Sequence, residues 1–195
     1  YQTFFEKFGN VLKEGLREDF ENSEKLQNLM LFHSSSLEDK QLTTLADYVK
    51  RMPENQKEIY YLTAEGLASA KNSPRLEAFR KKGYEVLFMT DPVDEFVIPS
   101  IDNYQDRKLR DISKGDIDLE SEEEERKATQ ESFASLVSKL QELLKDKVSE
   151  VRISNRLTDT ACCLVDAEWA MSQQMQRVMK ALKQDVPDVK QILEI

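Results

Sequence analysis

The sequence predicts a mixed α/β fold: a helical segment over residues 1–55, a small layered α/β unit over 56–115, an acidic linker over 116–126 and a further, partial α/β unit over 127–195. Three observations carry this. Apolar residues recur at helical spacing from the first residue, at Tyr1, Phe4, Phe5, Phe8 and Leu12. Residues 56–115 alternate short β-rich runs with helix start and stop signals, the pattern of stacked strand and helix. Third, "DIDLESEEEE" (116–125) is dominated by acidic residues and reads as a domain linker without core residues.

Each element follows from a local signal. "NSEKLQNLMLF" predicts a second helix capped by Asn22 or Ser23. "SSSLEDKQ" is a loop, and "TTLADYVKRMP" is a third helix, with a capping box at Thr44 and Asp47 and a stop at Pro53. "KEIYYLT" is a strand. "NSPRLEAFRKKG" is a helix with Ser73 as N-cap, Pro74 in the first turn and Gly83 at the C-terminal end. "YEVLFMT" is almost continuously apolar, as in a strand buried on both faces. "DPVDEFVI" starts another helix, with Asp91 as cap and Pro92 at its first position. After the linker, Ser121 and Glu124 cap a helix striped by Phe133, Leu136, Val137, Leu140, Leu143 and Leu144. Strands at "SEVRIS", "ACCLVD" and the terminal "VKQILEI" follow, with a helix in "EWAMSQQMQRVMKAL" between the last two. Helical periodicity from the first residue, and an apolar run at the last, predict a fragment of a longer protein.

Composition narrows the function. A net charge of -9 argues against a nucleic-acid partner, and no apolar run approaches the length of a membrane span. Cys162 and Cys163 are adjacent, without the spacing of a zinc site; they read as two small buried residues. His33 has no partner histidine and reads as structural. Asp91, Asp94 and Glu95 follow a buried strand, a common place for an acid/base pair, but helix capping and favourable charge at a helix N-terminus explain them better, because they account for Pro92 too. No GxxxxGK[ST] or GxGxxG motif occurs, and five glycines leave little for a phosphate-cradling loop. Residue chemistry alone points to a binding module, with no metal ligand set and no catalytic constellation. A catalytic α/β domain using the carboxylates near Asp91 and a purely structural spacer remain the alternatives. Met171, Met175 and Met179 recur every four residues, on one helix face, where either ordinary core or an adaptable contact surface would place them.

Six stretches together resemble the ninety-kilodalton heat-shock chaperones in their bacterial form: "YQTFFEKFGNVLKEGLREDFEN", "TTLADYVKRM", "QKEIYYLT", "NSPRLEAFRKKGYEVLFMTDPVDE", "VRISNRLTDTACCLV" and "MQRVMKA". The resemblance implies the later middle domain, followed by the start of the C-terminal domain without its dimerising helices. It implies an ATP-dependent parent, cytoplasmic and homodimeric, using ATP and magnesium through parts not matched here. For this chain it implies no cofactor, no catalytic residue, no nucleic-acid or membrane partner, and a monomer or weak dimer. It also implies binding of unfolded or partly folded client proteins through Phe96, Met171, Met175, Val178 and Met179, as one apolar patch. The chain departs from the family pattern at Pro99, at Ala161 and at Met171, which stands where many eukaryotic relatives have tryptophan; Trp169, two positions earlier, does not take over that role.

Overall fold

The structure is a computed structural model and describes residues 1–117, 119, 123–186 and 189–195. The cap expected at Ser121 lies outside them. The chain forms two compact units, one from residues 1–72 and 83–111, the other from 73–82 and 112–195.

In the first unit, α1 (Gln2–Glu18) turns Phe5, Gly9, Lys13 and Leu16 inward, a stripe at helical spacing. Gly9 is required there: a Cβ would lie 2.9–3.1 Å from the Phe5 ring. The turn into α2 (Ser23–Leu29) is capped by Asp19, whose carboxylate accepts from the Asn22 N–H at 3.2 Å, rather than by Asn22 or Ser23. After the two-residue β1 (His33–Ser34), α3 (Leu45–Arg51) starts as the sequence predicts. Thr44 Oγ1 accepts from the Asp47 N–H and donates to its carboxylate, both at 3.0 Å. The helix ends before Pro53.

β2 (Ile59–Thr63) leads to a short helix, α4 (Leu67–Lys71), then through α5 (Glu77–Lys81) of the second unit to β3 (Val86–Met89). Every β3 residue is buried. Gly83 ends the α5 segment at φ +71°, the conformation its position predicts. α6 (Asp94–Val97) begins three residues later than the expected Asp91 cap. A hairpin the sequence reading passed over, β4 (Asn103–Tyr104) and β5 (Arg107–Asp111), completes the sheet. Its two-residue turn holds Gln105 and Asp106 both at positive φ, the twist that suits a tight hairpin. The strand order is β1-β3-β2-β5-β4, with β3, β2 and β5 parallel and both edge strands antiparallel.

A polar network pins this sheet to α3. The fully buried Tyr48 hydroxyl donates to the Glu85 carbonyl at 2.7 Å and accepts from Gln56 Nε2 at 2.8 Å and the Tyr60 N–H at 3.0 Å. Burial pushes its pKa far up, so it stays a donor. The Glu85 carboxylate receives a two-pronged bond from Arg51 at 2.8 and 2.9 Å and one from the Ser34 hydroxyl.

In the second unit, α7 (Glu123–Leu144) is the longest helix. Its predicted stripe is only partly covered: Phe133, Leu136 and Leu143 are exposed. β6 (Glu150–Arg152), β7 (Cys163–Val165) and β8 (Ile192–Glu194) form a sheet with the terminal strand β8 in the middle, parallel to β6 and antiparallel to β7. Placing "QILEI" centrally buries Ile192. Strand alternation corrects the reading of the cysteines: Cys163 faces inward, whereas Cys162 is exposed, and both are free thiols. The linker reading also needs correction at its start, because Ile117 and Leu119 are buried. Among the described residues no helix is long and apolar enough to cross a membrane.

Tyr48→Phe should destabilise the protein by about 1–3 kcal/mol, because it takes the hydroxyl partner from the buried Tyr60 N–H and the Glu85 carbonyl and leaves the Gln56 amide only the Glu58 carbonyl. Denaturant unfolding checks this: the midpoint should fall with an unchanged slope.

Candidate functional site

α8 (Gln173–Ala181) hangs between β7 and β8 and carries the methionine face. β7 is followed by Asp166, which is fixed on both backbone groups. Its N–H donates to the Ser113 carbonyl at 3.0 Å, and its carbonyl accepts from the Gly115 N–H at 2.9 Å. A tight turn closed by Ala170 N–H to the Ala167 carbonyl at 2.9 Å then presents Trp169 outward. Ser172 starts the helix, with its buried hydroxyl accepting from the Met175 N–H at 3.0 Å. The other end is closed by two reverse bonds, Gln184 N–H to the Met179 carbonyl and Lys183 N–H to the Lys180 carbonyl, each 3.0 Å. Lys183 sits at φ +58° to make this closure, a position that usually holds glycine.

Met171, expected on the helix, lies before its Ser172 cap and is exposed, and Met175, Val178 and Met179 on the helix are partly exposed. One side of a helix fixed at both ends therefore offers adaptable apolar side chains to solvent. Phe96, in α6 of the first unit, is also partly exposed.

The carboxylates near Asp91 form an ion-pair clamp within the first unit. Lys13, buried on α1, reaches Asp91 Oδ2 and Asp94 Oδ1, both at 2.6 Å, and stands over the Phe32 ring at 5.9 Å. Asp94 Oδ2 accepts from the Asp91 N–H at 3.0 Å. Burial raises the Asp94 pKa, with Lys13 pulling it back. His33 lies in the same small cleft, and burial lowers its pKa. The cap expected of Asp91 is absent because Lys13 takes its side chain. Among the described residues no group of histidine, cysteine and carboxylate side chains has the arrangement to hold a metal ion. The sequence gives no sign of the clamp, because Lys13 and Asp91 are 78 positions apart.

Comparison with known proteins gives the family. The family model described as Hsp90 protein matches residues 1–194. This chain belongs to the Hsp90 family. It is 45% identical to the chaperone protein HtpG of Geobacter sulfurreducens over 201 residues, covering all of this chain and 31% of that protein. It is 44% identical to HtpG of Methylococcus capsulatus, covering 32% of that protein. The middle domain of a Plasmodium falciparum heat shock protein superposes with a TM-score of 0.56 at 38% identity, covering 59% of this chain and 48% of that one. This Hsp90-family chain thus spans about a third of the length of the HtpG relatives it matches. The relatives are chaperones, and they favour neither the catalytic nor the spacer alternative.

One further arrangement in this Hsp90-family chain was invisible in the sequence. Glu77 of α5 places one carboxylate oxygen against three successive backbone N–H groups, Thr158 at 2.8 Å, Asp159 at 2.9 Å and Thr160 at 3.1 Å. Its other oxygen accepts from the Thr160 hydroxyl. Burial acts to raise the Glu77 pKa, but these hydrogen bonds outweigh it and bring the value down to about 2. A carboxylate whose folded pKa lies below its unfolded value of 4.5 stabilises fully above that value, and its contribution is lost as pH falls toward about 2. Glu77→Gln should therefore lower stability at neutral pH and flatten its decline between those two values. Thermal melts across that range read the difference.

Proposed function

We propose that this chain is the client-holding part of an ATP-dependent molecular chaperone. The observation that supports this is the partly exposed methionine side of α8, with the exposed Met171 just before it, in an Hsp90-family chain. Methionine is unbranched and polarisable, so such a surface repacks against different partly folded partners at small cost. Met171, Met175, Val178 and Met179 make this contact, and Phe96 adds an apolar contact from the first unit. The chain takes no part in nucleotide chemistry. It has no GxxxxGK[ST] or GxGxxG motif, and Asp91 and Asp94 are paired with the buried Lys13. ATP and magnesium serve the full-length parent, a cytoplasmic homodimer. This chain by itself is a monomer or at most a weak dimer, with no nucleic-acid or membrane partner.

Two outcomes are expected. Calorimetry with ATP and magnesium should give no saturable heat; a stoichiometric micromolar site would overturn the assignment of nucleotide binding to other parts of the parent. Replacing Met175 and Met179 together with serine should cost less than about 1 kcal/mol, against about 2–5 kcal/mol for a truncated core methionine. The same variant should bind an unfolded model protein about tenfold more weakly, as loss of central apolar anchors does. Lost stability with unchanged affinity would return the stripe to ordinary core. Met-to-Leu changes should be tolerated, because apolar area rather than shape drives the contact.

A further inference from the structure

Away from α8, the second unit contains a hollow of about 650 Å³ between the C-terminal end of α5, the chain that follows β6 and one turn of α7. That volume falls in the range of about 300–1,000 Å³ typical of small-ligand sites. Its apolar lining is Ala78 and Leu119, both buried, with Ile153 and Leu157, both half-buried. Its polar lining includes Lys81, Lys82 and Thr158, all exposed. In a chain where 37 of 195 residues are acidic, none of the residues lining this hollow is acidic. The walls are tied in place by bonds within the unit. The Ala78 N–H donates to the Arg156 carbonyl at 3.0 Å, and the Lys82 ammonium donates to the Leu119 carbonyl. Asn155 donates to the Asp116 carboxylate at 2.9 Å, and the Ser154 hydroxyl donates to that of Glu194 at 2.8 Å. A site fixed in advance loses little binding free energy to ordering. Among the described residues none pairs with the Lys81 ammonium. A second hollow adjoins the first at Lys81 and Thr158 and adds Arg80, Asp159 and Glu77. Three cations against two carboxylates leave the joined surface net positive, and the Glu77 carboxylate is already held by the Thr158–Thr160 amides.

We propose that this hollow binds a small organic carboxylate with an apolar body, its charged head at Lys81 and its body against Leu119, Ile153 and Leu157. The lining names both halves of the ligand. An unpaired ammonium at the rim of a hollow without lining acids calls for an anion, and four apolar side chains call for a body that leaves water. A phosphate is the poorer fit. The row of backbone N–H groups that suits one, at Thr158–Thr160, is filled by Glu77, which leaves a single ammonium for a single negative charge. Ala78, Lys81 and Lys82 come from 73–82, and the other lining residues from 112–195. A ligand that touches both therefore strengthens the attachment of 73–82 within its unit and raises the melting temperature by mass action. This site stands apart from the methionine side of α8, so its failure leaves client holding untouched.

Octanoate is the probe, titrated into the isotope-labelled chain and followed by the magnetic resonance of its backbone amides. Shifts should be confined to residues 77–82, 129–130 and 153–158 and should saturate in the millimolar range or below. The emission of Trp169, the single tryptophan of the chain and outside the hollow, should not change. Octanol, with the same body and no charge, should bind about threefold to tenfold more weakly, the ratio of one exposed charge-assisted contact. Lys81→Glu should weaken octanoate by at least that factor and leave octanol unchanged, and Lys81→Arg should keep octanoate binding. Both variants change an exposed side chain, so their melting temperatures without ligand should match the parent's. Equal binding of octanoate and octanol, or an octanoate affinity indifferent to Lys81→Glu, would remove the anionic head and overturn the proposal. Shifts centred on residues 171–182 would move the probe to α8 and overturn the site, as would the absence of saturation at roughly 10 mM. Tighter binding of acetyl-leucyl-leucine than of octanoate would overturn the small-acid class in favour of a peptide terminus.

Discussion

Arg156 is 1% exposed, and a guanidinium taken out of water must find its partners inside. They come from distant parts of the chain. Glu194 of β8 faces it at 2.8 Å, and the Ile112 and Gly115 carbonyls accept from its two terminal nitrogens. Arg152 of β6 and the Ser154 hydroxyl take up the remaining capacity of Glu194. Breaking such a buried pair from one side typically costs about 3–5 kcal/mol, because the other charge is left unpaired. The pair sets the position of the terminal strand β8, and α8 is held between β7 and β8. The apolar side of α8 can stay partly exposed because a polar interior, rather than the methionines, fixes its scaffold.

The same residue explains why a helix lying between two strands of the first unit's sheet in sequence belongs to the second unit. The Arg156 carbonyl accepts from the Ala78 N–H at 3.0 Å, Arg75 donates to the Leu164 carbonyl at 2.5 Å, and the Lys82 ammonium donates to the Leu119 carbonyl. Glu77 closes the set on the Thr158–Thr160 amides. Four successive attachments in ten residues make 73–82 a bound segment of that unit. The first unit solves its own problem by comparable means, with Tyr48 and Glu85 joining α3 to the sheet and Lys13 joining α1 to the start of α6. In each case a buried polar group takes partners from distant parts of the chain, which fixes one arrangement more sharply than apolar contact alone.

The sequence by itself determined the mixed α/β class, most helices and strands, the Thr44 and Ser73 caps, the Gly83 turn and the methionine face of α8. These are local: a periodicity, a cap or a glycine acts within a few residues, and the apolar order of "YEVLFMT" already states that its strand is buried on both sides. The β4–β5 hairpin escaped because Gln105 and Asp106 adopt positive φ without the glycine that usually marks such a turn. The Asp91 cap failed because Lys13, far away in sequence, binds the same carboxylate more strongly than a helix N-terminus would. Of the site, the spacing of Met171, Met175 and Met179 was legible and its exposure was not. Periodicity says which residues share a face, whereas only packing decides whether anything covers it. Tertiary structure alone decided the assignment of 73–82 to the second unit, the central place of β8, the separation of Cys162 from Cys163 across a strand and the seating of Glu77 in a backbone nest. All of these depend on groups dozens of residues apart meeting at hydrogen-bond distance, and no short-range pattern encodes that.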